Sequence, residues 1–349
     1  MNRLLLLAGV LLSSLLHAQD IVITSPVTLT SSRLVRSVTI KKGGQLVLLG
    51  GLEIENDLTV EVGGEVRIEN APIRISGNIV NEGKVYTMGG IAFSGKSGPN
   101  TVMQTVKNYN GNGVGVFKDA VTTAPSAAFK HLRINNIAKP VAVKMDLGGA
   151  AGDTADADGK VTVSGHLAFE NGVLDIGVYN QFYFTLSGTT SHTNGGLLRG
   201  IHKSGAEGGQ MGKMFPSGAS SFTFHIVDTE GDYEYSPVTV NLSKNTYSGK
   251  MVVLSVFGKR HSETKGAKDF LNRYWRFILT PIGEHEGTAT FSYLPKDVVG
   301  SLAKMQVSAW NGRVWTPLGA ASASNLKLAF SDKIKLGGTV CHITAKNAP

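Results

Sequence analysis

The stretch GDTADADGK, Gly152 to Lys160, sets Asp153, Asp156 and Asp158 ahead of Gly159. Calcium loops bring oxygen ligands together by alternating them around a tight glycine turn, so these three aspartates are candidate calcium ligands. Thr154 stands where such a loop would begin with Asp and Gly165 where it would end with Glu, which leaves an Asx-rich turn as the competing reading. A second concentration, GEHEG, holds Glu284, His285 and Glu286 in a predicted hairpin loop. Alternate residues of a hairpin tip point apart, so a polar loop is expected there rather than a metal site.

VSAWNGRVWTPLG places Asn311-Gly312 between two strand-like runs, the strongest short hairpin signal in the chain. With a two-residue turn, Trp310 faces Arg313 and Ser308 faces Trp315. The two indoles and the guanidinium then share one side, and Val307, Ala309 and Val314 take the other. If the aliphatic side is the core, Trp310, Arg313 and Trp315 form an exposed platform for a ligand, suited to the apolar C–H faces of sugar rings. The usual burial of large aromatics favours the opposite arrangement, with the tryptophans inside.

Other reactive residues are dispersed. Glu53, Glu55, Glu61, Glu65 and Glu69 alternate with Lys41, Lys42 and Arg67, the pattern of a solvated face rather than of two carboxyls converging on a glycosidic bond. His166, His192, His202 and His225 have no partner at ligand spacing, and HExxH, a Gly-x-Ser-x-Gly elbow and a phosphate-cradling loop are all missing. The single cysteine, Cys341, excludes an intrachain disulfide and a cysteine-rich metal site. An enzyme is not expected, and no cofactor beyond calcium.

These residues must be positioned by strands. Glycine is abundant at 43 residues, and Val, Leu and Ile fall in short alternating runs, an all-β composition. Val38–Leu49 repeats as Leu58–Glu69 after 20 residues: Thr39 meets Thr59, Gly43-Gly44 meets Gly63-Gly64, and Val38/Leu58, Ile40/Val60, Leu46/Val66 and Leu48/Ile68 stay apolar. NIVNEGKVYTMGG is a looser third copy, with Ile79 and Val85 in the apolar places. A fixed step of strand, glycine corner and strand suits stacked rungs, each burying its apolar face on the next. The expectation is a parallel β-solenoid, β-helix-like, over residues 20–204, with rungs about 4.8 Å apart. The alternative is a run of antiparallel hairpins in a sandwich. A Gly- and Asn-rich insertion near 96–126 interrupts the pattern, which resumes at Phe129–Asn136 and again from Val161 to Ile176.

Beyond SGAEGGQMGKMFPSGASS the strands lengthen and become more aromatic. Trp275, Phe277 and Leu279 share one face, as do Ala289, Phe291 and Tyr293, so these two strands are expected to share a core. A β-sandwich is predicted over 205–349.

Residues 1–19 carry Arg3, an apolar run from Leu4 to Leu16 and small or polar residues after it, a signal peptide too short to span a membrane. No later segment is long and apolar enough to span one. Without Arg3 the formal charge falls from +8 to +7, and the basic residues are scattered rather than gathered with aromatics, which argues against nucleic acid.

Taken together, the Ala-Gln end of the leader, the glycine-punctuated repeats, the MFPSG turn, the YSPVTVNL and NRYWRF strands and the closing WNGRVWTPLG resemble the secreted, surface-associated adhesin-like proteins of Bacteroidota. The resemblance covers nearly the whole mature chain. It implies an exported protein at the cell surface or outside the cell, with cell-surface or matrix glycans or proteins as partners. It also implies a C-terminal sorting domain for type IX secretion, which this sequence does not carry before Pro349, so the periplasm stays open as a destination. Asp153-Thr154-Ala155 resembles the O-glycosylation acceptor motif of such proteins, with Thr154 as the modified residue. A non-catalytic adhesin-like or structural role is expected. Carbohydrate binding or polysaccharide processing, in the solenoid groove or on the aromatic platform, is the alternative.

Overall fold

The computed structural model of the protein describes residues 19–95, 102–107, 116–119, 127–146, 160–177, 181–198, 209–228, 234–280, 282–322, 325–331 and 340–347. These residues are all-β, with no α-helix among them and only short 3-10 turns such as Ser262–Thr264 and Pro295–Asp297. No helix among them is long and apolar enough to cross a membrane.

From Asp20 to Asn135 every third strand joins the same sheet, and all pairings are parallel. The register is the one the repeat predicts. Val38 pairs with Leu58 and Leu58 with Ile79; on the next sheet Leu46 pairs with Val66 and Val66 with Val85. The third sheet stacks Ile54, Ile75, Phe93 and Ile134 in one row. Strand alternation sends these residues to one face, where all are at most 2% exposed. Inside 96–126, Gln104–Lys107 and Val116–Lys118 extend two of the same sheets and add Val106 and Phe117 to the apolar rows.

The paired glycines of each copy do two different jobs. Gly43 and Gly63 turn the chain at φ +80°, which residues with a Cβ seldom adopt. At Gly44 the constraint is the neighbouring strand: a Cβ there would lie 2.2 Å from the Ile23 carbonyl oxygen. The same holds at Gly64, 2.8 Å from that of Ile40.

Gln210–Phe215 pairs in parallel with Gln181–Phe184 on one edge and antiparallel with Lys250–Phe257 on the other. The sheet thus passes from parallel to antiparallel pairing without a break. It continues through Tyr274–Leu279, Val340–Asn347, Met305–Trp310 and Trp315–Ala320. A separate four-stranded antiparallel sheet joins Ser220–Phe224, Val238–Asn245, His285–Ser292 and Asn325–Ser331. Trp275 meets Phe291 at 5.4 Å and Phe277 meets Phe330 at 5.7 Å between ring centroids, so the two sheets share apolar contacts. Trp275, Phe277, Ala289, Phe291 and Tyr293 are all buried, as their alternation predicts.

Two buried cations hold the passage from parallel to antiparallel strands. Arg273, fully buried, bonds Asp228, Glu234 and Asp297. Lys213 donates to the carbonyls of Thr185, Leu186 and Gly188 at 2.5, 2.9 and 2.8 Å. Burial lowers the Lys213 ammonium to about 8, and the three carbonyl oxygens favour its charged form.

Candidate functional site

Met305–Trp310 and Trp315–Ala320 pair with Trp310 opposite Trp315, so four residues, Asn311 to Val314, make the connection. The Asn311 side-chain oxygen accepts from the N–H groups of Arg313 and Val314, both at 2.9 Å. That Asx turn displaces the two-residue turn expected from Asn-Gly, and Trp310 therefore does not face Arg313. Val307 and Ala309 lie in the core, and Trp310 and Trp315 are half-buried on the opposite face. The arrangement with the tryptophans inside is thereby overturned. Strand alternation that buries Val307 and Ala309 turns the Trp310 indole to the other face. Val314, expected with the aliphatic side, is 56% exposed because it belongs to the turn.

A loop through the Ser262–Thr264 turn flanks the indoles. His261 Nδ1 accepts from the Glu263 N–H at 3.1 Å, which leaves the ring proton on Nε2 to be donated to His342 Nδ1 at 2.8 Å. Trp315 Nε1 donates to the Glu263 carbonyl at 3.1 Å. Burial, and secondarily His342, pushes His261 down to about 4, so it is neutral at physiological pH. Between loop and hairpin lies a groove of about 650 Å³ lined by Trp310, Trp315, Arg313, Lys346 and Glu263. The two indole centroids are 5.3 Å apart with planes at 42°, and the Lys346 ammonium sits 5.6 Å from the Trp315 ring.

A larger depression, about 790 Å³, crosses the outer face of the third parallel sheet, where Leu34, Glu53, Arg74, Ala92 and Arg133 stand in register. Arg74 lies 4.0 Å from Glu53, and Arg133 is 2.6 Å from Glu170. His166 in the same depression bonds the hydroxyls of Thr189 and Ser191 at 2.8 Å each. Among the described residues Glu53 is the single carboxylate of its lining, so these residues do not offer the acid and base pair of a glycosidase. Arg74 and Arg133 there are already paired with carboxylates.

Asp153, Thr154, Asp156, Asp158 and His202 lie outside the described residues. In GEHEG, His285 turns inward to Lys250 at 3.2 Å while Glu284 reaches Lys244 at 2.6 Å, so the residues point apart. Glu61 bonds Lys41, and Glu65 and Glu69 lie 3.5 and 3.7 Å from Arg67, as on a solvated face. Histidines isolated in sequence are paired in space: His192 stacks on His225 at 4.8 Å and on Tyr235 at 4.2 Å. Cys341 faces the core, and burial raises its thiol to about 12. No group of three or more His, Cys, Asp or Glu among the described residues is arranged to hold a metal ion.

His261, Glu263 and Lys346 escaped the sequence reading. Each lies more than 30 residues from the tryptophans along the chain, and no local pattern links them. Compared with protein-family models, curated proteins and solved structures, the chain matches none.

Proposed function

We propose that this is an exported, non-catalytic display protein. In this reading the parallel sheets are the walls of a β-solenoid and the two antiparallel sheets are a β-sandwich carried at its end, serving adhesion or recognition at a cell surface or in an extracellular matrix. The observation that carries the reading is the repeated parallel register, in which Val38, Leu58 and Ile79 occupy one position on successive strands and outward charges such as Glu53 and Arg74 pair with one another. Such a ladder gives rigidity and length, and its inward side chains are spent on packing. The resemblance to adhesin-like proteins of Bacteroidota agrees with it. The carbohydrate-binding alternative is favoured at one place, the groove beside Trp310 and Trp315, where apolar ring faces and cations occur together.

The test is to incubate the purified protein with bacterial envelopes, matrix proteins and polysaccharides, measuring bound protein and released reducing ends or unsaturated products. Saturable binding without product is the expected result. Product formation on any polysaccharide would sink the non-catalytic reading, and binding to nothing would sink the recognition role.

A further inference from the structure

We propose that the groove between the Trp310–Trp315 hairpin and the 261–267 loop binds an anionic sugar residue, a uronate unit of an acidic polysaccharide. This rests on the recognition reading and names the ligand class of its site. Three observations converge.

The first is the wall. Trp310 and Trp315 stand side by side with planes at 42°, an angled apolar surface of the kind that the C–H faces of a pyranose cover. The Trp315 N–H is already used on the Glu263 carbonyl, which fixes the ring before a ligand arrives and lowers the entropy lost on binding.

The second is charge. Arg313 stands exposed at the lip, and among the described residues its guanidinium has no ion pair and its side chain no hydrogen bond. Lys346 reaches over Trp315 from Val340–Asn347, the strand on the other side of Met305–Trp310. Among the described residues the groove lining holds these two cations against one carboxylate, Glu263. A guanidinium matches a carboxylate by two parallel N–H···O bonds, whereas a neutral sugar would leave both cations unmatched. Glu263 remains available to accept from sugar hydroxyls.

The third is size. The volume, about 650 Å³, falls within the range of small-ligand sites.

The experiment titrates the full chain with polygalacturonate, alginate and hyaluronate, and with the carboxyl-reduced form of each, by calorimetry. Saturable binding to at least one acidic polymer is expected, weaker by about tenfold or more for its reduced form. Arg313→Gln and Trp310→Ala should each weaken binding by about tenfold or more. Arg313→Gln lies on an exposed turn and should melt like wild type, so it keeps the test meaningful if Trp310→Ala disturbs packing. Lys84→Gln, an exposed charge on the parallel region, should bind as wild type does. Three results would overturn the site: no binding to any of the three polymers, equal binding to the reduced forms, or equal losses in Arg313→Gln and Lys84→Gln. Retained uronate binding in Arg313→Gln, with envelope or matrix binding also kept, would remove this site and leave the display role standing. Loss of every saturable interaction in the wild type removes both.

Discussion

At Arg273 one guanidinium serves three buried carboxylates, those of Asp228, Glu234 and Asp297, with Lys296 reaching Glu234 from the surface. Burial alone would lower its pKa; the bond to Asp297 and the charges of Asp228 and Asp297 outweigh that and hold it raised. Arg273→Met would leave these carboxylates buried without their cation, at an expected cost of about 3–5 kcal/mol, read as a lower urea midpoint. Arg273→Lys should also destabilise, because one ammonium cannot replace a fork whose Nε, Nη1 and Nη2 bond different acids. An unchanged midpoint would mean that water already solvates the cluster. None of this was legible in sequence: Arg273 reads as one more residue of the NRYWRF strand, and its partners arrive from other segments. His261 gives a second test. Its folded pKa lies near 4, below the ordinary 6.5, and His225 is likewise lowered to about 4 by burial and by His192. The unfolded chain takes up these protons as pH falls through about 6.5, while the folded chain resists until about 4. Stability is therefore expected to fall across that window, by at most roughly 3 kcal/mol per histidine. Around His261 stand His342, Tyr274, Trp315 and Glu263, and protonating Nδ1 would break its bond to the Glu263 N–H. His261→Leu should flatten part of the slope between urea midpoints taken at pH 7.5 and 5, leaving the part that belongs to His225.

Among the elements, the parallel strands were the most legible because their period is set by sterics that leave a mark in the sequence. The glycine pair recurs where one residue must turn at positive φ and the next must let a neighbouring carbonyl approach. The apolar places recur because each inward row is continuous, so aligning Leu46 with Val66 amounts to reading the register. The two glycines should respond differently to substitution. Gly43→Ala meets only the Thr24 carbonyl oxygen, at 3.9 Å, and should cost about 1–2 kcal/mol for its left-handed backbone. Gly44→Ala would press a methyl 2.2 Å from backbone that cannot rotate away, and should cost about 3 kcal/mol or more. Thermal melts of the two variants check the order; equal losses would mean that the strands can slide apart. The Trp hairpin was less legible. Asn311-Gly312 announces a turn, but the Asn311 side chain bonds two backbone N–H groups and makes the connection longer, which changes what Trp310 faces. Composition hid the short strand Gln104–Lys107 in the same way, since its few residues sit in a Gly- and Asn-rich stretch.

On the scale of the whole molecule, a composition change near residue 204 reads as a boundary, yet the described strands on either side belong to one sheet. Gln210–Phe215 has a parallel neighbour on one edge and an antiparallel neighbour on the other, so separating the halves would expose a full edge of Phe182 and Phe184. Phe184 lies 4.9 Å from Phe222 between ring centroids, and Lys213 caps the 185–188 turn. These contacts join the halves by core packing and buried charge rather than by surface touch. The protein is therefore expected to melt in one cooperative transition, with calorimetric and van't Hoff enthalpies in agreement. A fragment of residues 205–349 should be far less stable than the same residues in the full chain, because its first strand loses a neighbour and an apolar edge meets water. Two separate transitions, with the fragment melting at the temperature of one of them, would show that the halves fold independently and that the shared sheet adds little. Cooperativity has a functional consequence, since a site on the hairpin of Trp310 and Trp315 would then be carried by a scaffold that transmits load through one continuous hydrogen-bonded sheet.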